Sequence, residues 1–280
     1  MLHSFLLAGQ SNMAGRGFLK EVPMICNERI KVQRNGKWQI MMEPINYDRP
    51  FAGVGPSASF AAAWCRKNKD QEIGLIPCAE GGSSLDDWSV DGPLFEHAIL
   101  QAKLAKTSSK LEGILWHQGE NECSSGLSKR YHEKFSKIVE AFRRELNEPE
   151  LPIIIGGIGS YLSSGFLGQY FPEHSEVNEA LLEFAEKEKN CYFATASGLT
   201  PNPDGIHLNA VSQRIFGFRY FEAYVKRNHV LEPLEGEENA VTIFSERPLT
   251  KTEKSAILDK QFAGGEISIE EYQLQLELNQ

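Results

Sequence analysis

The sequence predicts a three-layer α/β/α sandwich built on a parallel sheet. Two observations carry that prediction. Short apolar runs of strand length recur as far as Ala194, and a helical stretch follows each of them. Strands buried on both faces read as near-continuous apolar runs, and parallel neighbours need a long crossover, usually a helix lying on the sheet. A third observation is that polar segments follow four of the runs, where the loops of a parallel sheet converge on a ligand.

In chain order the strand candidates are Ser4–Ala8, Ile73–Pro77, Gly113–Trp116, Ile153–Gly156 and Cys191–Ala194. The helical patterns are Ser57–Lys67, Leu94–Lys106, Ser128–Leu146, Glu173–Lys189 and Ala210–Arg227. Glu28–Met42 breaks the rhythm, and Asn35-Gly36 between two alternating runs predicts a two-residue β-hairpin near the C-terminal edge of the sheet. From about Glu232 the pattern changes again. Pro233, Gly236 and a run of charges mark a linker, and Ala240–Phe244 reads as a short strand. Lys254–Phe262 and Ser268–Leu278 read as paired helices, with Ser268 and Glu271 spaced as a capping box. Ile257, Leu258, Phe262, Ile267, Leu274 and Leu276 give this hairpin more apolar surface than it can hide alone, so it must dock on its own chain or make a homo-oligomer contact.

Bulk composition narrows the function. A chain of 280 residues suits one large domain with a small appendage, and 41% hydrophobic residues can build a full core. The formal charge is −9, and no Lys/Arg block offers a surface for phosphate backbones, which argues against a nucleic-acid partner. The five cysteines are dispersed without a C-x-x-C pair, which favours free thiols over a disulfide framework or a zinc site. The opening run has no basic lead and is too short to span a membrane, so the expected location is the cytoplasm.

The chemistry is concentrated at the strand ends. Ser11 follows the first strand, where backbone N–H groups can stabilise an oxyanion, although a serine there could be no more than a helix cap. Asn202-Pro203-Asp204-Gly205-Ile206-His207 precedes the last helix of the main pattern. His207 can serve as the base that a serine hydroxyl needs, and Asp204, across a tight turn, can hold the other ring nitrogen. Glu80-Gly81-Gly82-Ser83-Ser84 presents paired glycines, and Trp116-His117-Gln118-Gly119-Glu120 places polar side chains where the sheet opens. His117 and Glu120 have no further ligand at a zinc-site spacing, so no metal is expected. Gly156-Gly157-Ile158-Gly159 lacks the order of a dinucleotide site. His97 and His132 lie in helical patterns and read as surface or boundary residues, and Trp88 reads either as a sugar platform or as core.

Taken in order, Gly9-Gln10-Ser11-Asn12-Met13-Ala14-Gly15-Arg16, Gly81-Gly82-Ser83-Ser84-Leu85, Trp116-His117-Gln118-Gly119-Glu120 and Asp204-Gly205-Ile206-His207 resemble the blocks of the SGNH hydrolases. They resemble most the branch of sialate O-acetylesterases and acetylxylan esterases, carbohydrate esterase family six, and Gly53-Val54-Gly55-Pro56 is similar to that branch as well. The resemblance implies a flavodoxin-like sandwich over residues 1–231, with residues 232–280 as linker and helical hairpin. It implies removal of acetyl groups from carbohydrate with no cofactor, Ser11 being nucleophile, His207 base and Asp204 its orienter. The Ser11 and Gly82 N–H groups would form the oxyanion hole, and Asn12, Arg16, Glu120 and Asn121 would support substrate or loops. Where the superfamily usually has Gly-x-Asn-Asp, this chain has Gln118 before the glycine and Asn121 after Glu120; the branch pattern favours Gln118 as the side-chain donor. The rival readings are an esterase of another short acyl group and a catalytically silent carbohydrate-binding protein.

Overall fold

Strand β1 (Leu2–Gly9) lies at the centre of a seven-stranded sheet in the computed structural model, which describes residues 1–165 and 167–279. The other strands are β2 (Ile30–Arg34), β3 (Lys37–Ile40), β4 (Glu72–Pro77), β5 (Lys110–His117), β6 (Ile153–Gly156) and β7 (Cys191–Ala194). They run in the order β3-β2-β4-β1-β5-β6-β7, all parallel except that β3 returns antiparallel to β2. Without the hairpin this is the flavodoxin-like order, whose direction of winding reverses beside the first strand. The crevice at that reversal opens at the C-terminal ends of β1 and β5.

The apolar runs are buried on both faces because helices cover both. On β1, Phe5 and Leu7 join one core and Leu6 and Ala8 the other; on β6, Ile154 faces the first core while Ile153 and Ile155 face the second. Helices α2 (Ser57–Lys67) and α6 (Ala210–Lys226) pack on the first face. Helices α3 (Pro93–Lys106), α4 (Tyr131–Glu145) and α5 (His174–Lys187) pack on the second. The five predicted strands and five predicted helices are all present, with ends shifted by a few residues at most.

Two expectations are corrected. The Asn35-Gly36 turn forms, with both residues at positive φ, but its hairpin widens the sheet at a lateral edge, because Ile30, Lys31 and Val32 pair in parallel with β4. Ala240–Phe244 is not a strand: Glu237–Val241 is a turn of 3-10 helix, and Ala240 and Phe244, at helical spacing, bury their side chains in the core that α6 shares.

The C-terminal hairpin forms as α7 (Lys251–Ala263) and α8 (Ile269–Leu278). Each begins with a capping box, from Thr250 and Glu253 and from Ser268 and Glu271, so two of the N–H groups at the start of each are satisfied. Helix α7 is fastened to its own chain. Glu253 accepts from the Glu28 N–H at 2.8 Å and pairs with Arg247 at 2.6 Å, and Lys260 reaches the Glu43 carbonyl. Helix α8 leans on α7, with Tyr272 stacked on Phe262 and its hydroxyl donating to Asp259.

Candidate active site

The short helix α1 (Ser11–Ala14) starts where β1 leaves the sheet, after the Gln10 N–H has donated to the His117 carbonyl of β5 at 2.7 Å. Ser11 is therefore locked to the ends of the two central strands. As the first helical residue its N–H has no intrahelical acceptor. Asn12 points back into the fold, donating to Glu120 Oε1 and accepting from the Leu208 N–H at 2.9 Å. That bond ties the serine turn to the segment carrying His207.

This segment is a tight loop closed by a bridge between Pro201 and Leu208, with the Asn202 N–H on the His207 carbonyl at 2.6 Å. Within it Asp204 makes an Asx-type turn, its Oδ1 accepting the N–H groups of Ile206 and His207, each at 2.9 Å. The other oxygen, Oδ2, lies 2.7 Å from His207 Nδ1, and His207 Nε2 lies 3.0 Å from Ser11 Oγ. A carboxylate can only accept, so Nδ1 carries the proton and Nε2 is left to accept from the serine hydroxyl. Burial works against the Asp204 charge, but the His207 ring and the two N–H donors outweigh it and hold the carboxyl below its usual range.

The glycine loop after β4 turns back at Gly82, whose φ of +78° suits a residue without a side chain. The Ser83 N–H closes the turn on the Glu80 carbonyl at 3.3 Å, while no protein acceptor takes the Gly82 N–H among the described residues. Two free backbone donors, those of Ser11 and Gly82, thus come from adjacent strand ends. Trp88 is core and not a platform: it is fully buried edge-on to Trp116, and its Nε1 donates to Ser83 Oγ at 2.9 Å.

The two amides separate clearly. Gln118 is fully buried, and its Nε2 is held by Glu122 and by the Ser83 carbonyl. Asn121 is exposed at the mouth and donates to the Gly82 carbonyl. Glu120 is buried between Asn12 and His117, whose Nε2 donates to the Gly157 carbonyl at 3.1 Å and whose burial keeps its ring neutral. Arg16 closes over the loops, its carbonyl accepting from Asn202 at 2.8 Å and its guanidinium paired with Asp48. Sequence reasoning missed Asp48, Glu122 and Tyr161, whose hydroxyl donates to the Ile206 carbonyl at 3.2 Å. Glu122 stands two residues beyond the Trp116–Glu120 block, whereas Asp48 lies in a loop with no periodicity to flag it. Among the described residues no three His, Cys, Asp or Glu side chains converge as a metal site requires.

A flavodoxin-like sheet with a serine at the end of β1 and polar blocks on the neighbouring strand ends suits an ester hydrolase, the class that the family match establishes. The chain belongs to the family described as carbohydrate esterase, sialic acid-specific acetylesterase, whose model matches residues 1–226. A probable carbohydrate esterase of Arabidopsis thaliana is 29% identical over 243 residues, covering 79% of this chain and 89% of that protein. An X-ray structure of an Arabidopsis thaliana protein superposes with a TM-score of 0.71 at 28% identity, over 80% of this chain and 98% of that one. NanS superposes with a TM-score of 0.67 at 18% identity, over 81% of this chain and 97% of that one, a likeness of fold.

Proposed function

We propose that this protein removes O-acetyl groups from carbohydrate through a Ser11–His207–Asp204 triad. The observation that carries the proposal is the unbroken chain of contacts from Asp204 to Nδ1, and from Nε2 to Ser11 Oγ, at 2.7 and 3.0 Å. In the first half-reaction His207 Nε2 takes the Ser11 proton as Oγ attacks the acetyl carbonyl carbon. The carbonyl oxygen, now anionic, takes hydrogen bonds from the Ser11 and Gly82 N–H groups. The bond to the sugar oxygen then breaks, and His207 returns the proton to that oxygen. In the second half-reaction water attacks the acetyl-enzyme, again giving its proton to His207, and acetate leaves as Ser11 Oγ recovers it.

The amide donor is assigned to Asn121 in place of the Gln118 that the branch pattern favoured. Gln118 already spends its amide on Glu122 and Ser83, so its place in the site is to brace the loop. Asn121 needs only to leave the Gly82 carbonyl to reach an oxyanion beside the Gly82 N–H.

Acetate release from acetylated xylo-oligosaccharides and O-acetylated sialic acids, alongside an acyl-length series of chromogenic esters, tests the substrate class. Release from one carbohydrate group, with rates falling sharply beyond acetyl, is the expected result. A flat acyl series would make the chain a general short-chain esterase. Absence of turnover and of labelling by a fluorophosphonate probe would make it a silent carbohydrate-binding protein. Ser11→Ala is expected to lower kcat by roughly 10⁴-fold in a folded protein, and near-normal turnover would remove Ser11 from the mechanism.

A further inference from the structure

We infer that Asp48 and Arg49 form a clamp that aims the Gly82 N–H at the reacting carbonyl, making both positioning residues of the oxyanion loop. The inference rests on the acetylesterase reading above. Asp48 Oδ2 accepts the Gly81 N–H at 2.9 Å, and Arg49 Nη2 donates to the Gly81 carbonyl at 3.0 Å. Both polar groups of Gly81 are thus held from one dipeptide. The Gly81 carbonyl and the Gly82 N–H belong to the same planar, trans peptide unit and point in opposite directions. Fixing the oxygen with Arg49 therefore fixes the direction of the hydrogen.

The clamp is itself anchored. The Asp48 side chain is 2% exposed and the paired Arg16 side chain 4% exposed, so neither charge is screened by solvent. Arg16 donates from Nη1 to the Gly15 carbonyl at 2.8 Å, and its backbone carbonyl holds Asn202 in the His207 loop. Arg49 is exposed and pairs with Glu80 at the start of the glycine loop. The packing explains why position 81 is glycine. A Cβ there would fall 2.3 Å from Arg16 Nη2 and 2.7 Å from Asp48 Oδ2, whereas one at Gly82 would meet nothing within 4 Å. The ion pair presses on the first glycine while the second faces open space.

An oxyanion donor acts on charge that develops only in the transition state, so misaiming it lowers kcat and leaves substrate binding nearly alone. The test compares Asp48→Ala, Asp48→Asn and Arg49→Met with wild type and Ser11→Ala on one acetyl ester, with melting temperatures recorded for each. Asp48→Ala should lower kcat by about 10²-fold with KM within about twofold. Asp48→Asn, which keeps an oxygen to accept the Gly81 N–H, should recover about 10-fold of that loss. Arg49→Met, a surface change that leaves the core intact, should lower kcat by about 10-fold. The pH midpoint of kcat/KM should not move in any of them, because the clamp does not touch His207. Unchanged kcat in Asp48→Asn and Arg49→Met overturns the inference. A raised KM with normal kcat in Arg49→Met also overturns it, by making that residue a sugar contact. Turnover surviving in Ser11→Ala sinks the underlying triad instead, and so separates the two failures.

Discussion

At the scale of single residues, two further outcomes separate neighbouring roles. Asn121→Ala is expected to slow the chemical step by about 10²-fold with little change in KM, as loss of one oxyanion donor does elsewhere. Gln118→Ala is expected to act mainly through stability, since it frees Glu122 and the Ser83 carbonyl from a buried partner. Steady-state kinetics with thermal melts of both variants decides the matter, and a reversed pattern would return the donor role to Gln118. Glu122 gives the second outcome. Burial raises its carboxyl from an ordinary value near 4.5 to about 7, against the opposing pull of the Leu85 N–H and the Gln118 amide. The unfolded chain therefore gives up this proton first as pH rises, and the stability that Glu122 contributes falls between about 4.5 and about 7. Above that window it is level. Melting temperatures of Glu122→Gln and wild type, measured from pH 4 to 8, should thus converge at the acid end and separate through the window in favour of the variant. A constant difference across the range would mean that Glu122 stays ionised in the fold.

At the scale of elements, the hairpin of α7 and α8 is a brace for one side of the domain. Glu253 is 1% exposed, capping its own helix while satisfying the Glu28 N–H, and Cys26 lies beneath it. Helix α7 also reaches Glu43, whose carboxylate pairs with the fully buried Arg214 of α6. No residue of the candidate site lies in either helix. Deleting residues 251–280 should leave kcat/KM unchanged and lower Tm by roughly 5 °C or more, because a capped, partly buried helix is removed from one face. Deleting only residues 266–280 should do much less, since α8 leans on α7 through Phe262 and Asp259 and is the more exposed of the two. Loss of activity in a folded truncation would place the hairpin in the site after all.

At the scale of the whole molecule, the site depends on the two cores that hold the central strands in register. The five cysteines are all free and buried, and Cys65, Cys78, Cys123 and Cys191 lie within those cores. Burial raises every one of these thiols above its ordinary value, Cys26 and Cys65 to about 11 and Cys191 to about 12, so little thiolate exists near neutral pH. A thiol reagent should accordingly leave the native protein unlabelled over the time of an assay, and label all five positions only as denaturant unfolds it. Fast labelling of any one under native conditions would show that its face of the sheet opens locally. Among the described residues no helix is long and apolar enough to cross a membrane.

What was legible from the sequence was what nearby residues decide among themselves. Alternating burial along Phe5, Leu6, Leu7 and Ala8 needs only a strand covered on both sides, so the apolar run announced it. Asp204 reaches His207 within one turn, and the capping box of Ser268 and Glu271 spans three residues, so spacing alone described both. The pairing of β2 with β4 was not legible, because a hairpin signal says that two strands join and not which third strand receives them. Nor was the fate of Ala240–Phe244, a short apolar run that fits strand or helix equally until α6 offers a surface. The widest gap lies in the site itself. Ser11 and His207 are 196 positions apart, and the motifs named them without bringing them to 3.0 Å. Only the packed sheet did that, by setting the ends of β1 and β5 side by side and laying the His207 loop across them. The partners of Gln118 and Asn121, and the hold of Asp48 on Gly81, were decided the same way, since a side chain's partner depends on which distant loop fills the space beside it.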